Sequence, residues 1–508
     1  APATVLAEGE QVVHDVVARR DVVEHARDIA GSLVQASTIH GAILALARAC
    51  PRGHLNEQVR GASSRVADGG ASRHRAVRGT GLGWCLVSLS PSPADAARTP
   101  HLRVRTQELA DPGDLVSLVP AGRPAEDVMS WVRRGEGLVA WGRAASIATS
   151  GDERFADAES WWDALVAAAD VEDEVALPGS GLVAFGSFSF RNSSDEGSAL
   201  VVPEMVVGRR GGRAWLTTIN RTSDRLPDVT PALAPTGVEA RDGALTPAQW
   251  RSAVSDAIEM IRTGRVEKVV LARDEIHVAD ADIDPRWLLT RLAARYRDTW
   301  AFAVDGLVGA TPELLVRSEK GLVTSRVLAG TIRRTGDDSH DLALAGSLAR
   351  SSKDLEEHEY AVRSVEAALR PHCSSMNVPD APFVLNLPNV LHLATDVSGA
   401  LAGGASSLTL AASLHPSAAV CGTPTREAAL VIDELEHMDR GRYAGPVGWI
   451  DARGDGEWGI ALRSGQIDIE NPCRIRLFAG CGIVEGSDPV SEVAESVAKL
   501  APMREALR

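Results

Sequence analysis

Lys268 stands in a short apolar run, Val266-Glu267-Lys268-Val269-Val270-Leu271-Ala272-Arg273. Lysine is scarce here: of 53 Lys+Arg residues only four are lysine (Lys268, Lys320, Lys353, Lys499), and the other 49 are arginine. A chain biased this far toward arginine still sets a lysine in a strand. Arginine keeps its proton at neutral pH, whereas a desolvated lysine can release it. The run therefore points to a lysine that works as a base. A strand-edge lysine that rests its stem on apolar surface and holds its head in water has the same local sequence.

Five further segments of the second half are dense in reactive groups. Glu313 follows Thr311-Pro312, where a proline turn over 309–313 would fix a carboxyl at the head of a strand. Glu356-Glu357-His358 falls on a helix expected over 353–369, and Leu391-His392-Leu393-Ala394-Thr395 forms a compact apolar stretch. Arg442-Tyr443-Ala444-Gly445-Pro446-Val447-Gly448-Trp449 is followed by Ala461-Leu462-Arg463-Ser464. The tail carries Gly480-Cys481-Gly482, then Gly486-Ser487-Asp488-Pro489, then a helix with Glu492, Glu495 and Lys499. These three lie at i, i+3 and i+7, so their side chains leave one face. Two carboxylates one turn apart suit Mg²⁺, which takes one or two carboxylates with water and substrate oxygens. An exposed helix with an ordinary Glu495–Lys499 pair has the same spacing. His358 and His392 read first as structural histidines.

The elements that position these groups are strands and helices without regular βαβ alternation. Neither a phosphate loop nor a dinucleotide fingerprint is present, which argues for an α/β fold of α+β type with mostly antiparallel sheets. Thr246-Pro247 opens a helix, Thr as N-cap and Pro at the first helical position, with Trp250, Val254, Ile258 and Ile261 on one face and Gly264 at its end. Strands are expected over 102–106, 137–142, 181–190, 200–207 and 214–218, and a helix over 155–169. The Pro-rich stretch 226–235 reads as a seam between a half over 91–245 and a half over 246–508. Residues 1–90 read as a poorly structured extension, with one amphipathic stretch over 22–47. Either the native start lies near 87–90 or the extension docks elsewhere.

Composition narrows the class. Hydrophobic content of 44% and charged content of 24% are those of a globular protein. A net charge of −15 argues against a nucleic-acid surface. No run of about 18 apolar residues and no signal-type leader is present, so no membrane span is expected. The six cysteines show neither CxxC nor zinc spacing, which suits reduced thiols in the cytoplasm.

Together these segments resemble the chorismate-utilising enzymes, and within them the isochorismate synthases. The matching pieces are 268–273, Pro312-Glu313, 328–331, Glu357-His358, 392–395, 414–416, 443–449, 461–464, 477–480 and 486–499, in the family's order over about 240 residues. The resemblance implies a large fold of mixed, mainly antiparallel sheets with helices packed outside. It implies Lys268 as the base that activates water toward C2 of chorismate and Glu313 as the acid that protonates the departing C4 hydroxyl. Glu357 and Glu495, with Glu492 beside them, would hold Mg²⁺. Arg463, Lys499 and the Gly480 backbone would hold substrate carboxylates, and Thr331 and His392 would line the pocket. Thr311 stands where the family often has Ser, and Cys481 where Ala is common; both changes are small. The product would serve menaquinone or siderophore synthesis, with no obligatory protein partner. A salicylate synthase, which goes on to eliminate pyruvate, carries the same lysine and glutamate. Ammonia-using relatives fit less well, since aminodeoxychorismate synthases place a lysine where Ala329 stands. A non-catalytic chorismate-binding protein is the reading from another class.

Overall fold

A computed structural model of the chain describes residues 100–386 and 390–508. The expectations for residues 1–90 lie outside the described residues.

Among the described residues two large sheets dominate. The first has 13 strands, and its order brings together distant segments. The lysine strand (Lys268–Val278) pairs with the tail strand (Arg474–Ile483), which pairs with Ser464–Ile467. From there the order runs through Leu307–Thr311, Trp300–Val304 and Val128–Arg133 into strands before residue 220. The second sheet has 10 strands, running from Cys373–Asn377 and Val390–Leu401 through Leu322–Arg333, Leu314–Glu319, Gly456–Ile460 and Pro446–Asp451 to Val183–Ser187, Ser198–Val202 and Ala145–Thr149. Each sheet therefore takes strands from both sides of the Pro-rich stretch. The ladders are antiparallel apart from the parallel pair Arg103–Leu109 and Asp170–Asp173.

The two sheets pack face to face. Met129, Trp131, Trp215 and Phe302 of the first interdigitate with Val183, Phe185, Val201 and Trp449 of the second, all buried. At Gly208 the indole of Trp215 lies so close that a Cβ would sit 2.2 Å from it, so only glycine fits there. The helix Pro285–Arg295 and the tail helix (Pro489–Ala506) cover the outer face of the first sheet through Leu288, Leu292, Leu500 and Met503. The long helix (Ser352–Leu369) and the helices Arg154–Ala168 and Ser407–Leu414 close over the second. Among the described residues no helix is long and apolar enough to cross a membrane.

The Thr246 helix forms as its sequence dictates. Thr246 Oγ1 accepts from the Gln249 amide and the Gln249 side chain accepts from the Thr246 amide, a reciprocal capping box, with Pro247 at the first position. Trp250, Val254 and Ile258 are buried on one face; Ile261 is only half-buried. One expectation is corrected. Gly309-Ala310-Thr311 is not a turn but the end of a strand buried on both faces, paired with Trp300–Val304 and Ser464–Ile467. Its glycine serves close approach: a Cβ at Gly309 would lie 2.7 Å from the Phe302 ring.

Candidate active site

The lysine strand and the tail strand form the floor. Val270 lies opposite Gly482 and Ala272 opposite Gly480, while Lys268 itself pairs with Thr423. The two glycines leave room above the strand. A Cβ at Gly482 would sit 3.2 Å from Lys268 Cε, so the lysine stem lies across bare backbone. A Cβ at Gly480 would sit 3.2 Å from the Tyr443 hydroxyl, and the Tyr443 ring stacks on Phe478 with centroids 5.1 Å apart.

Glu313 and Arg463 sit where the chain crosses between the sheets. Glu313 joins Leu307–Thr311 of the first to Leu314–Glu319 of the second; Arg463 joins Gly456–Ile460 of the second to Ser464–Ile467 of the first. The crossings are tied to each other. The Ile460 amide donates to the Glu313 carbonyl (3.2 Å) and the Ala310 amide to the Arg463 carbonyl (3.2 Å). Arg463 holds a left-handed backbone, φ 51°, a conformation that costs a non-glycine residue free energy and recurs at functional sites. Burial pushes the Glu313 carboxyl up to about 7, against the opposing pull of Lys268, Arg463 and Lys499. Burial also lowers the Arg463 pKa. Beside Glu313 is a cavity of about 30 Å³, lined in part by Ser325, Ser417 and Ile460.

His392 comes from the second sheet, opposite Thr331, at a bulge where Gly330 has φ 75°. Burial pushes its pKa down to about 4, with Arg463 and Lys499 adding to the effect, so the ring is neutral at pH 7. His358 is buried on the long helix, its Nε2 2.8 Å from Thr395 Oγ1, which fixes helix against strand. For Thr331 and Glu357 the described part is the backbone, in strand Leu322–Arg333 and in the long helix.

The tail helix supplies the acidic corner. Asp488 caps it, accepting from the Ser491 amide at 2.8 Å, and Pro489 takes the first position. Lys499 Nζ lies 2.6 Å from Glu495 Oε1 and donates to the Gly480 carbonyl at 2.9 Å. Burial raises the Glu492 carboxyl, and nearby Glu495 raises it further. Burial also acts to raise Glu495, but Lys499 and Arg463 outweigh it and hold Glu495 below the usual range. Oxygens of Glu492 and Glu495 and the sulfur of Cys481 all lie within 4.8 Å of one another. Burial pushes the Cys481 thiol up to about 12. At neutral pH it is therefore a donor, and its sulfur lies 3.6 Å from the Glu492 carbonyl. Two hard carboxylates whose mutual repulsion a cation would relieve fit a hard divalent ion.

Lys268, Glu313, His392, Arg463, Glu495 and Lys499 are thus linked by mutual electrostatics around the Gly480 floor. Sequence reasoning did not single out Tyr443, although it lies inside a quoted segment, and it noted Cys481 only as a residue standing where Ala is common. The Tyr443 hydroxyl over a bare glycine shows only once the tail strand is in place.

Comparison with known proteins identifies relatives of the chain. A family model described as chorismate binding enzyme matches residues 97–508. The salicylate biosynthesis isochorismate synthase of Pseudomonas aeruginosa is 35% identical over 407 residues, covering 74% of this chain and 84% of the relative. The isochorismate synthase MenF of Bacillus subtilis is 38% identical over 262 residues, 51% of this chain and 55% of that protein. Among solved structures, the DhbC isochorismate synthase of Bacillus anthracis, described as 2,3-dihydroxybenzoate-specific, superposes with a TM-score of 0.63 at 32% identity, over 77% of this chain and 98% of its own. The chain belongs to the chorismate binding enzyme family.

Proposed function

We propose that the chain is an isochorismate synthase, which converts chorismate to isochorismate with Mg²⁺ and supplies menaquinone or siderophore synthesis. The observation that carries this reading is a buried Glu313, its carboxyl raised to about 7, that feels the charge of Lys268. Water is a poor nucleophile and hydroxide a poor leaving group, so the reaction needs a base and an acid acting at different ring carbons.

Lys268 takes a proton as water attacks C2. Both ring double bonds shift, from C1=C2 and C5=C6 to C6=C1 and C4=C5, the C4–O bond breaks, and Glu313 gives its proton to the departing hydroxyl, which leaves as water. The cycle closes when Lys268 loses a proton and Glu313 regains one, so atoms and charge balance and the reaction runs both ways. Arg463 and Lys499 bring positive charge to a substrate that carries two carboxylates. His392, being neutral, offers hydrogen bonding at the pocket wall without adding charge. Glu492 and Glu495, with Glu357 from the long helix, would hold Mg²⁺, which when bound neutralises and anchors the ring carboxylate. Water as nucleophile removes the need for an ammonia-supplying partner. Among the described residues, Cys373, Cys421, Cys473 and Cys481 are free thiols, which supports a cytoplasmic setting.

The test is purified protein with chorismate, with and without Mg²⁺, products separated chromatographically and salicylate followed by fluorescence. Isochorismate in equilibrium with chorismate, without pyruvate, is the expected result. Salicylate with pyruvate would replace this reading by a salicylate synthase. Absence of metal-dependent turnover in folded protein would replace it by a binding protein.

A further inference from the structure

We infer that the buried pair Glu436–Arg440 is a positioning device that takes the place of a missing strand and holds Lys268 at its working point. The inference rests on Lys268 being the base of the proposed reaction.

One edge of the lysine strand is fully paired with the tail strand. The other is paired only at its ends among the described residues. Gly422–Thr423 covers Lys268 and Val269, and Glu239–Asp242 covers residues 275–278. Between them the backbone of Val270 and Ala272 has no strand beside it, and exposed polar groups inside a core are costly. Side chains and one loop satisfy all four groups. The Val270 amide donates to the Cys421 carbonyl at 2.9 Å. The Val270 carbonyl accepts from Arg440 at 2.7 Å, the Ala272 amide donates to Glu436 at 2.7 Å, and the Ala272 carbonyl accepts from the Trp250 indole at 3.0 Å.

Glu436 and Arg440 are also bonded to each other, Arg440 Nε to Glu436 Oε2 at 2.9 Å, and their side chains are 1% and 2% exposed. Arg440 reaches a third segment, donating to the Val420 carbonyl at 2.9 Å, and its guanidinium lies over the Phe190 ring at 4.3 Å. One ion pair thus clamps the lysine strand, the loop before Gly422 and the segment that leads from Arg440 to Tyr443. Neutral packing of similar volume often serves stability as well as a buried ion pair does. What apolar side chains cannot do is hold a carbonyl and an amide two residues apart in one strand. The pair is therefore placed to fix geometry two residues from Lys268.

The test is the double variant Glu436→Leu/Arg440→Met, compared with wild type and with Arg440→Lys. Hydrogen exchange resolved along the chain and steady-state kinetics with chorismate and Mg²⁺ are the readouts. We expect exchange over 268–274 to accelerate at least about tenfold in the double variant, with the central strands of the second sheet unchanged. We expect kcat to fall about 100-fold, the usual penalty for a misplacement near 1 Å, and KM to stay within about threefold. Arg440→Lys, which keeps the charge but not the three-way reach, should fall between. If the double variant does not fold, Arg440→Lys carries the same two readouts. A folded variant with wild-type kcat, or exchange that accelerates evenly over the molecule, would overturn the inference. Turnover by wild type separates the two questions: its absence counts against the proposed reaction, while the exchange pattern still decides the role of the pair.

Discussion

Lys499 donates a 2.9 Å hydrogen bond to the carbonyl of Gly480 and so pins the tail helix to the floor of the site. The same ammonium pairs with Glu495, so one side chain sets both a carboxylate and a backbone carbonyl. Lys499→Gln can keep the bond to Gly480 but loses the charge. It should reduce kcat/KM for chorismate about tenfold or more, equivalent to roughly 1.4 kcal/mol of transition-state binding, and steady-state kinetics measures this.

Glu313 must be protonated to act as an acid. Its carboxyl sits at about 7 in the free protein, so the working fraction falls as pH rises past that value. The kcat/KM profile in the isochorismate-forming direction should therefore have a descending limb near pH 7. Glu313→Gln should lose that limb along with activity, by about 10²- to 10⁴-fold. A flat wild-type profile from pH 6 to 9 would count against Glu313 as the acid.

The same shift has a consequence for stability. A carboxyl whose folded pKa is raised binds its proton more tightly in the native state than in the unfolded chain. Its penalty is absent below the unfolded value near 4.5 and complete above about 7. Glu313→Gln removes the ionisable group, so the variant should gain in Tm over wild type more at pH 8 than at pH 5. Calorimetry at the two values checks the sign.

Lys268→Arg tests the base directly. Arginine keeps a positive charge at this position but cannot release its proton at accessible pH. The variant should be as inactive as Lys268→Ala, down about 10²-fold or more, while still binding chorismate. Equilibrium binding beside turnover separates these effects.

Chelation should abolish turnover, and Mg²⁺ should restore it. Glu492→Gln and Glu495→Gln should each raise the Mg²⁺ concentration for half-activity, Glu495→Gln more, because Lys499 holds Glu495 ionised while burial favours the protonated form of Glu492. Isothermal titration with Mg²⁺ gives a readout independent of catalysis.

What was legible in the sequence follows from the range over which each signal acts. The Thr246 cap and the Asp488-Pro489 helix start are set by neighbours within three residues, and both formed where the sequence placed them. Lys268 stood out by residue type against an arginine-rich background, and the structure places it on the strand the sequence predicted. Gly309-Ala310-Thr311 was misread because glycine before Thr-Pro signals a turn locally, whereas burial between two strands decides its state. Glu436 and Arg440 went unnoticed because an i, i+4 Glu–Arg pair usually marks a solvated helix face. That the pair is buried depends on a strand far earlier in the chain, since Glu436 meets the Ala272 amide 164 residues before it. The tail spacing of Glu492, Glu495 and Lys499 predicted one face, but not that Gly480 and Cys481 would meet it.

The sharing of strands between the sheets also bears on how the chain comes to be folded. Val128–Arg133 waits for Trp300–Val304, and Val183–Ser187 for Pro446–Asp451. A nascent chain that has passed the Pro-rich stretch still lacks both neighbours, so its strand edges stay open until much of the remainder is made. Such long-range pairing makes folding slow and leaves intermediates prone to association. The lysine strand, whose partner ends at Ile483, is among the last to be closed. Competence for chemistry therefore arrives only once the tail strand is made, and removing that strand should abolish it before it abolishes much of the second sheet.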